Sequence, residues 1–164
     1  MARRCDTLAT MGYLVETTGR LLLPSDCEGA AFEALTVAMA DRDGWFDPED
    51  DEWQVSSLAE LAPFAATSVE REGEWLVLAT DEEGDPKWSE QATAFYAELA
   101  KWVSQGTVLV SGEDGAEWSY TFADGGLTQS GVNGWDGSLE PFGSPAEEEP
   151  SVEAPKRRGW FRRR

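Results

Sequence analysis

The sequence GTVLVSGEDGAEWSYTFADGGLTQS, residues 106–130, decides the fold because it predicts three consecutive strands. Residues 107–111 are rich in β-forming side chains, and residues 127–132 form the last strand. Between them, aromatic residues alternate with polar ones, as in a strand with one buried face: Trp118, Tyr120 and Phe122. Residues 124–126, Asp-Gly-Gly, predict a tight hairpin turn. The segment therefore predicts an antiparallel sheet.

A long helix is predicted immediately before these strands. It opens at Pro86 and runs to about Gln105, with apolar residues at spacings of four, three, four and three: Trp88, Ala92, Phe95, Leu99 and Trp102. This spacing predicts a wide stripe that faces the core, and a ligand pocket along it is the less favoured interpretation. Gly106 fits the position just after the end of the helix.

The N-terminal half supplies further strands and a second helix. Residues 13–23 predict a strand or hairpin, and residues 65–80 predict a hairpin. Ser25 and Glu28 have the spacing of a capping box, which predicts a helix over residues 25–40.

The order of these elements predicts an α+β fold. Two helices are expected on one face of a mostly antiparallel sheet. The first six elements match a ferredoxin-like βαββαβ unit, to which the C-terminal hairpin is added. Other α+β arrangements remain open.

The charge of the chain is strongly acidic and unevenly distributed. The 164 residues include 32 acidic and 13 basic residues, a net charge of −19. Six of the basic residues lie in residues 156–164, so residues 1–155 carry a net charge of −25. A body this acidic argues against direct binding of a nucleic-acid backbone or an anionic membrane by the body itself.

The composition also excludes several chemistries. The chain contains no histidine, so catalysis by a Ser-His-Asp or Cys-His set and a zinc site of mixed Cys and His are ruled out. Its two cysteines, Cys5 and Cys27, form no metal-binding motif. We predict no cofactor and no metal, and enzymatic activity is not favoured.

Composition divides the chain into four segments. Residues 1–11 are expected to be a disordered lead, with Met11 a candidate native start, and residues 12–135 the acidic α+β domain. Residues 136–155 are rich in Pro, Gly, Ser and Glu and are expected to be a disordered linker. Residues 156–164 form a basic and aromatic tail. Without a signal peptide or an apolar run of membrane-spanning length, the chain is predicted to be cytoplasmic.

Two groups of carboxylates are candidates for chemistry. In residues 41–52, five acidic side chains fall at calcium-loop positions: Asp41, Asp43, Asp47, Glu49 and Glu52. The required Gly is displaced to Gly44, so a solvated loop with Trp45 and Phe46 packed on the core is the favoured interpretation. Glu113 and Asp114 could act as an acid and a base, but adjacent carboxylates between glycines are typical of a turn.

The tail, KRRGWFRRR, is the predicted partner-binding site. Its candidate residues are Lys156, Arg157, Arg158, Trp160, Phe161, Arg162, Arg163 and Arg164. They could stack on bases and contact phosphates, lie on anionic lipid, or dock into an unknown protein partner with the aromatics as anchors. The alternative is that the tail folds back on its own acidic body. The linker would tether whatever the tail binds.

Three functions remain open from the sequence. The favoured one is a non-enzymatic interaction or adaptor protein with an acidic body and a tethered docking tail. The second is an acidic DNA mimic that occupies a nucleic-acid-binding protein. The third is a carboxylate-based enzyme or small-ligand binder, which would need a pocket with converging carboxylates. The oligomeric state is unknown.

Several short motifs resemble those of one group of proteins. The opening MGYLVETTGRLLLP, the helix near residue 95 and residues 106–135 are similar in outline to small uncharacterised proteins of actinobacteria and their phages. That resemblance spans residues 11–135 in outline, but residues 41–87 within this range have no counterpart. It implies a domain of the proposed extent and a start at Met11, and it implies no activity.

Overall fold

A computed structural model describes residues 12–142 and shows an α+β fold, as predicted. Seven strands form an antiparallel sheet that packs with three helices. The strands are β1 (Tyr13–Leu22), β2 (Ser68–Glu72), β3 (Trp75–Ala79), β4 (Lys87–Trp88), β5 (Gln105–Gly112), β6 (Glu117–Ala123) and β7 (Gly126–Ser130). The helices are α1 (Glu28–Ala40), α2 (Leu58–Leu61) and α3 (Glu90–Leu99). Single 3-10 turns cover Ser25–Cys27, Asp51–Trp53 and Ala62–Ala65.

The sheet runs in the order β2-β3-β1-β5-β6-β7, and the short β4 pairs with the start of β1. The central strand β1 therefore lies between β3 and β5, and every pairing is antiparallel. The strand pair β6–β7 extends the sheet beyond β5, as the hairpin turn in the sequence predicts. The ferredoxin-like arrangement stays a prediction.

One face of the sheet is buried and the other is exposed. In β5, Val108 and Val110 are fully buried, whereas Leu109 between them is 41% exposed. Their neighbours on β6, Tyr120 and Trp118, are buried on the same face. Helices α1 and α3 pack against each other and contribute to the same apolar core. The alternation in residues 106–130 predicts this division because successive side chains of a strand point to opposite faces.

The predicted capping box at Ser25 and Glu28 is wrong. Residues Ser25–Cys27 form a 3-10 turn, and helix α1 begins at Glu28. The Ser25 hydroxyl donates to the Glu74 carboxylate, and Glu28 forms an ion pair with Arg71. Both side chains thus join the helix start to the β2–β3 hairpin, because carboxylate and guanidinium partners from distant sequence outcompete the local cap.

The predicted helix over residues 86–105 is also shorter than expected. Strand β4 intervenes first, and α3 begins only after Ser89, whose hydroxyl accepts from the Gln91 amide. The helix ends at Leu99, and Gly106 lies inside β5 with a φ of 140°. A Cβ at Gly106 would meet the Arg20 carbonyl oxygen, so the close approach of β1 and β5, and not a helix end, requires this glycine.

The described fold continues past Trp135 to Phe142. Residues 131–142 form turns that pack beside the β6–β7 strand pair, held by hydrogen bonds to Asn133 and Ser138. The lead over residues 1–11, the linker beyond residue 142 and the tail over residues 156–164 lie outside the described residues. Within the part of the chain that is described, no helix has both the length and the apolar character needed to cross a membrane.

Candidate functional site

A cleft of about 400 Å³ opens where the start of β1, the loop after α1, the start of α3 and the C-terminal turns meet. We call it the aromatic cleft. It is lined by Gly12, Tyr13, Asp43, Gly44, Trp45, Trp88, Ser89, Glu90 and Trp135. Four of these residues are aromatic and two are acidic, and no lining residue in this described region is basic. This combination distinguishes the cleft from three other cavities of the described residues, which are lined by at most one aromatic residue each.

Trp45 is exposed in the cleft because a buried side chain of α3 holds the loop that carries it. The side chain of Gln91, which is 1% exposed, reaches into this loop from α3. Its carbonyl oxygen accepts from the Phe46 amide at 2.8 Å, and its amide nitrogen donates to the carbonyl oxygens of Met39, Arg42 and Phe46 at 2.7–3.2 Å. Phe46 is buried beside this contact, whereas Trp45 stays 52% exposed.

These hydrogen bonds of Gln91, which we call the Gln91 clamp, also explain why a glycine precedes Trp45. A Cβ on Gly44 would overlap the side chain of Gln91, so the loop passes directly over the amide group only because residue 44 lacks a side chain. The prediction that Trp45 and Phe46 both pack on the core is therefore half right. Phe46 packs against Phe64 with ring centroids 5.3 Å apart, and Trp45 points into the cleft.

Trp135 is held by a second buried amide residue. Asn133 is fully buried, and its side-chain oxygen accepts from the Trp135 amide at 2.9 Å. The backbone of Asn133 also pairs with Ser138 and Gly137, which closes the turn around Trp135. The indole of Trp135 remains 38% exposed. Both exposed tryptophans are thus carried on backbone that a buried polar side chain immobilises, which pre-organises a binding surface.

The floor of the cleft is a rigid aromatic cluster. Trp88 is buried and its indole nitrogen donates to the Thr93 hydroxyl. The ring of Trp88 stacks on Tyr96 at 5.8 Å and meets the edge of Trp118 at 5.2 Å. Most of the predicted stripe belongs to the core, although Trp88 lies on β4 and Trp102 is only partly buried. Trp88 also lines the cleft.

Tyr13 forms one wall and is tied to the β5–β6 turn. Its hydroxyl donates to Asp114 Oδ1 at 2.5 Å, and its ring stacks on Trp118. This hydrogen bond, with another from the Ala116 amide, lowers the pKa of the Asp114 carboxyl. Glu113 accepts from the Leu14 amide. A general acid would need a raised pKa, so this turn gives the carboxylate-enzyme hypothesis no support.

The electrostatic character of the cleft is negative. Asp43 and Glu90 line it, and the described residues as a whole include 27 acidic and 5 basic side chains, a net charge of −22. The start of α3 opposes this with a partial charge of about +0.5. The charge of two carboxylates exceeds that partial charge, so the lining residues carry a net negative charge.

The basic residues of the described fold are already engaged. Four of the five lie in ion pairs with Glu72, Glu28, Asp85 and Glu98. The fifth, Arg42, has its guanidinium carbon 4.1 Å from the centre of the Phe142 ring. Most carboxylates between residues 12 and 142 therefore lack a cationic partner within this region, and their charge is available to an external one.

Of the site residues predicted from the sequence that the structure describes, Asp43 alone lines the cleft. The tail residues 156–164 lie outside the described residues. In the acidic loop, Asp47 and Asp50 accept from backbone amides, and no group of three or more acidic or cysteine side chains within residues 12–142 is placed to hold a metal ion. Asp43 reaches the cleft through its position beside Gly44.

Comparisons with models of protein families, with curated protein sequences and with solved structures found no match. The resemblance to actinobacterial and phage proteins therefore stays a prediction. The geometry and charge of the aromatic cleft carry the functional argument.

The three tyrosines give the fold a predicted sensitivity to alkali. Burial raises the pKa of Tyr96, Tyr120 and Tyr13, and the hydrogen bond to Asp114 raises that of Tyr13 further. The unfolded chain loses these protons near pH 10 and the folded chain retains them. The contribution of these tyrosines to the free energy of unfolding is therefore fully present below about pH 10. Above that pH the free energy of unfolding falls by about 1.4 kcal/mol per pH unit for each buried tyrosine.

This sensitivity is measured by recording tyrosinate absorbance and near-ultraviolet circular dichroism during one alkaline titration. We expect ionisation and loss of aromatic ellipticity to coincide above pH 10. Reversible ionisation of Tyr96 and Tyr120 near pH 10 in a folded protein would contradict the packing described around them.

Proposed function

We propose that this protein is a non-enzymatic interaction protein whose aromatic cleft binds a cationic side chain from an arginine-rich segment of a protein partner. The observation that carries the proposal is the cleft itself. Two half-exposed tryptophans, held by buried Gln91 and Asn133, stand beside two carboxylates, Asp43 and Glu90.

The chemistry of the lining fits a guanidinium group best. A guanidinium is planar, stacks on indole faces and donates paired hydrogen bonds to a carboxylate. It is also less strongly hydrated than an ammonium group. A cation on a tryptophan face contributes about 0.5–1 kcal/mol when exposed and about 2 kcal/mol when desolvated. Arginine can use both kinds of lining group at once, whereas an apolar ligand would leave Asp43 and Glu90 without a partner.

The long-range field of the body supports the same partner class. The net charge of −22 over the described residues attracts a basic segment before contact and accelerates its association. The long-range electrostatic field raises the association rate, and the cleft determines where the basic segment docks. An adaptor of this kind needs no catalytic group, which agrees with the structural roles of Glu113 and Asp114.

Calorimetric titration of the full chain with a capped hexa-arginine peptide tests this proposal. A hexa-citrulline peptide is the matched control, because citrulline keeps the planar shape and removes the charge. We expect a dissociation constant of roughly 10–100 µM for hexa-arginine and no measurable heat for hexa-citrulline.

The salt dependence separates docking from general attraction. Between about 0.1 and 1 M salt, the Debye length falls from about 10 to about 3 Å, so the contribution of distant carboxylates disappears. Residual binding at high salt, with arginine preferred to lysine, supports the cleft. Equal binding of hexa-arginine and hexa-lysine that vanishes at high salt contradicts it.

A further inference from the structure

We infer that the aromatic cleft is occupied by the chain's own tail, residues 156–164, until a partner displaces it. This inference rests on the proposed function, because it assigns the first ligand of the same cleft. The tail would then compete with a basic partner for the cleft and lower the partner's apparent affinity.

The described part of the chain ends close to the cleft. The described chain ends at Phe142, whose ring lies on the guanidinium of Arg42. Arg42 is followed directly by Asp43, a lining residue of the cleft. The last described residue is therefore in contact with the residue adjacent to the site.

The remaining length suffices for the tail to reach the cleft. Thirteen residues, 143–155, separate Phe142 from Lys156. Fully extended, they reach about 45 Å, so the connection imposes no strain. A tether of about this length gives the segments that it joins a local concentration on the order of millimolar.

The composition of the tail complements the cleft. Residues 156–164 contain six basic and no acidic residues, with Trp160 and Phe161 between the basic blocks. Arginines can lie on Trp45 and Trp135 and pair with Asp43 and Glu90. The linker is unsuited to the same position, because its Glu residues at 147–149 would meet carboxylates of like charge.

A second cavity is a poorer match for the tail. The groove between α1 and α3 is lined by alanines and by Val37, and Phe142 forms part of its wall. It contains Arg42 and Lys101 as well as Asp41 and Glu98, so its charges are balanced. A basic segment gains no net attraction there, whereas the aromatic cleft offers carboxylates alone.

The test compares the natural chain with a variant whose tail is uncharged: Lys156→Gln, Arg157→Gln, Arg158→Gln, Arg162→Gln, Arg163→Gln and Arg164→Gln. The first readout is the set of indole N–H resonances in nitrogen-15 spectra without added ligand. We expect the resonances of Trp45 and Trp135 to shift between the two proteins and that of Trp53, an exposed tryptophan outside the cleft, to stay. Unchanged Trp45 and Trp135 resonances overturn the inference.

The second readout is the affinity for hexa-arginine. If the tail competes, the uncharged-tail variant binds the peptide about tenfold more tightly than the natural chain. The variant Arg3→Gln with Arg4→Gln, which removes basic residues at the other end, measures the general effect of charge and is expected to change affinity less than twofold.

The outcomes separate this inference from the proposed function. Equal affinity of the natural chain and the uncharged-tail variant overturns self-occupancy and leaves cleft binding intact. A complete lack of hexa-arginine binding by both proteins overturns the proposed function instead. A competition that strengthens with protein concentration shows a tail supplied by a second copy and overturns binding within one chain.

Discussion

Replacing Gln91 by leucine is expected to destabilise the protein by about 3–5 kcal/mol and to abolish peptide binding. The substitution keeps the volume of the side chain but removes the Gln91 partner of the Phe46 amide and of the Arg42 and Phe46 carbonyl oxygens. The Met39 carbonyl oxygen loses Gln91 as well but still accepts from the Arg42 amide. Each buried backbone group left without a hydrogen bond costs about 1–3 kcal/mol. The loop over residues 41–46 would then lose the contact that holds Trp45 in the cleft.

Urea unfolding of the natural and substituted chains measures this effect. The matched control is Gln54→Leu, because Gln54 also bonds to two backbone carbonyls but is exposed. We expect the control to change stability by less than about 0.5 kcal/mol. A loss below about 1 kcal/mol for Gln91→Leu would show that the clamp does not organise the loop.

The double substitution Trp45→Ala with Trp135→Ala is expected to weaken hexa-arginine binding by about tenfold. Each indole contributes about 0.5–2 kcal/mol to a bound cation, so the two together contribute about 1–4 kcal/mol, and a factor of ten corresponds to about 1.4 kcal/mol. Both side chains are more than a third exposed, so the fold should remain intact.

The control for this prediction is Trp53→Ala. Trp53 is 50% exposed and meets the edge of Phe64 with ring centroids 6.0 Å apart, away from the cleft. Its removal deletes the same surface group and leaves the lining unchanged. An equal loss of affinity from Trp53→Ala would assign the binding to scattered surface aromatics. Thermal unfolding of all three proteins verifies that the comparison concerns folded chains.

The sequence predicts the sheet better than the cleft. Alternation in β6 and the Asp-Gly turn act over a few residues, so the β5–β6–β7 meander follows from local pattern. The capping box at Ser25 failed because its side chains find partners about fifty positions away, Glu74 and Arg71. Contacts between residues so far apart in the sequence leave no periodic pattern in the sequence.

The cleft was missed for the same physical reason. Trp45 and Trp135 are ninety residues apart, and the groups that place them are single buried amides, Gln91 and Asn133. A polar residue at a core position of a predicted helix, such as Gln91 beside Ala92, was the available signal. It indicates that some backbone segment must come to satisfy the amide, but not which segment.

The most direct test of the central claim is the hexa-arginine affinity of two variants that remove the same charge. One is Asp43→Asn with Glu90→Gln, within the cleft, and the other is Glu82→Gln with Glu83→Gln, in an exposed loop elsewhere. If the cleft is the docking position, the first variant loses about fivefold or more in affinity, since each of the two charge pairs in the cleft contributes about 0.5–1 kcal/mol, and the second less than about twofold. Equal losses would show that only the overall acidity of the body attracts the peptide, and would contradict a cation-binding cleft.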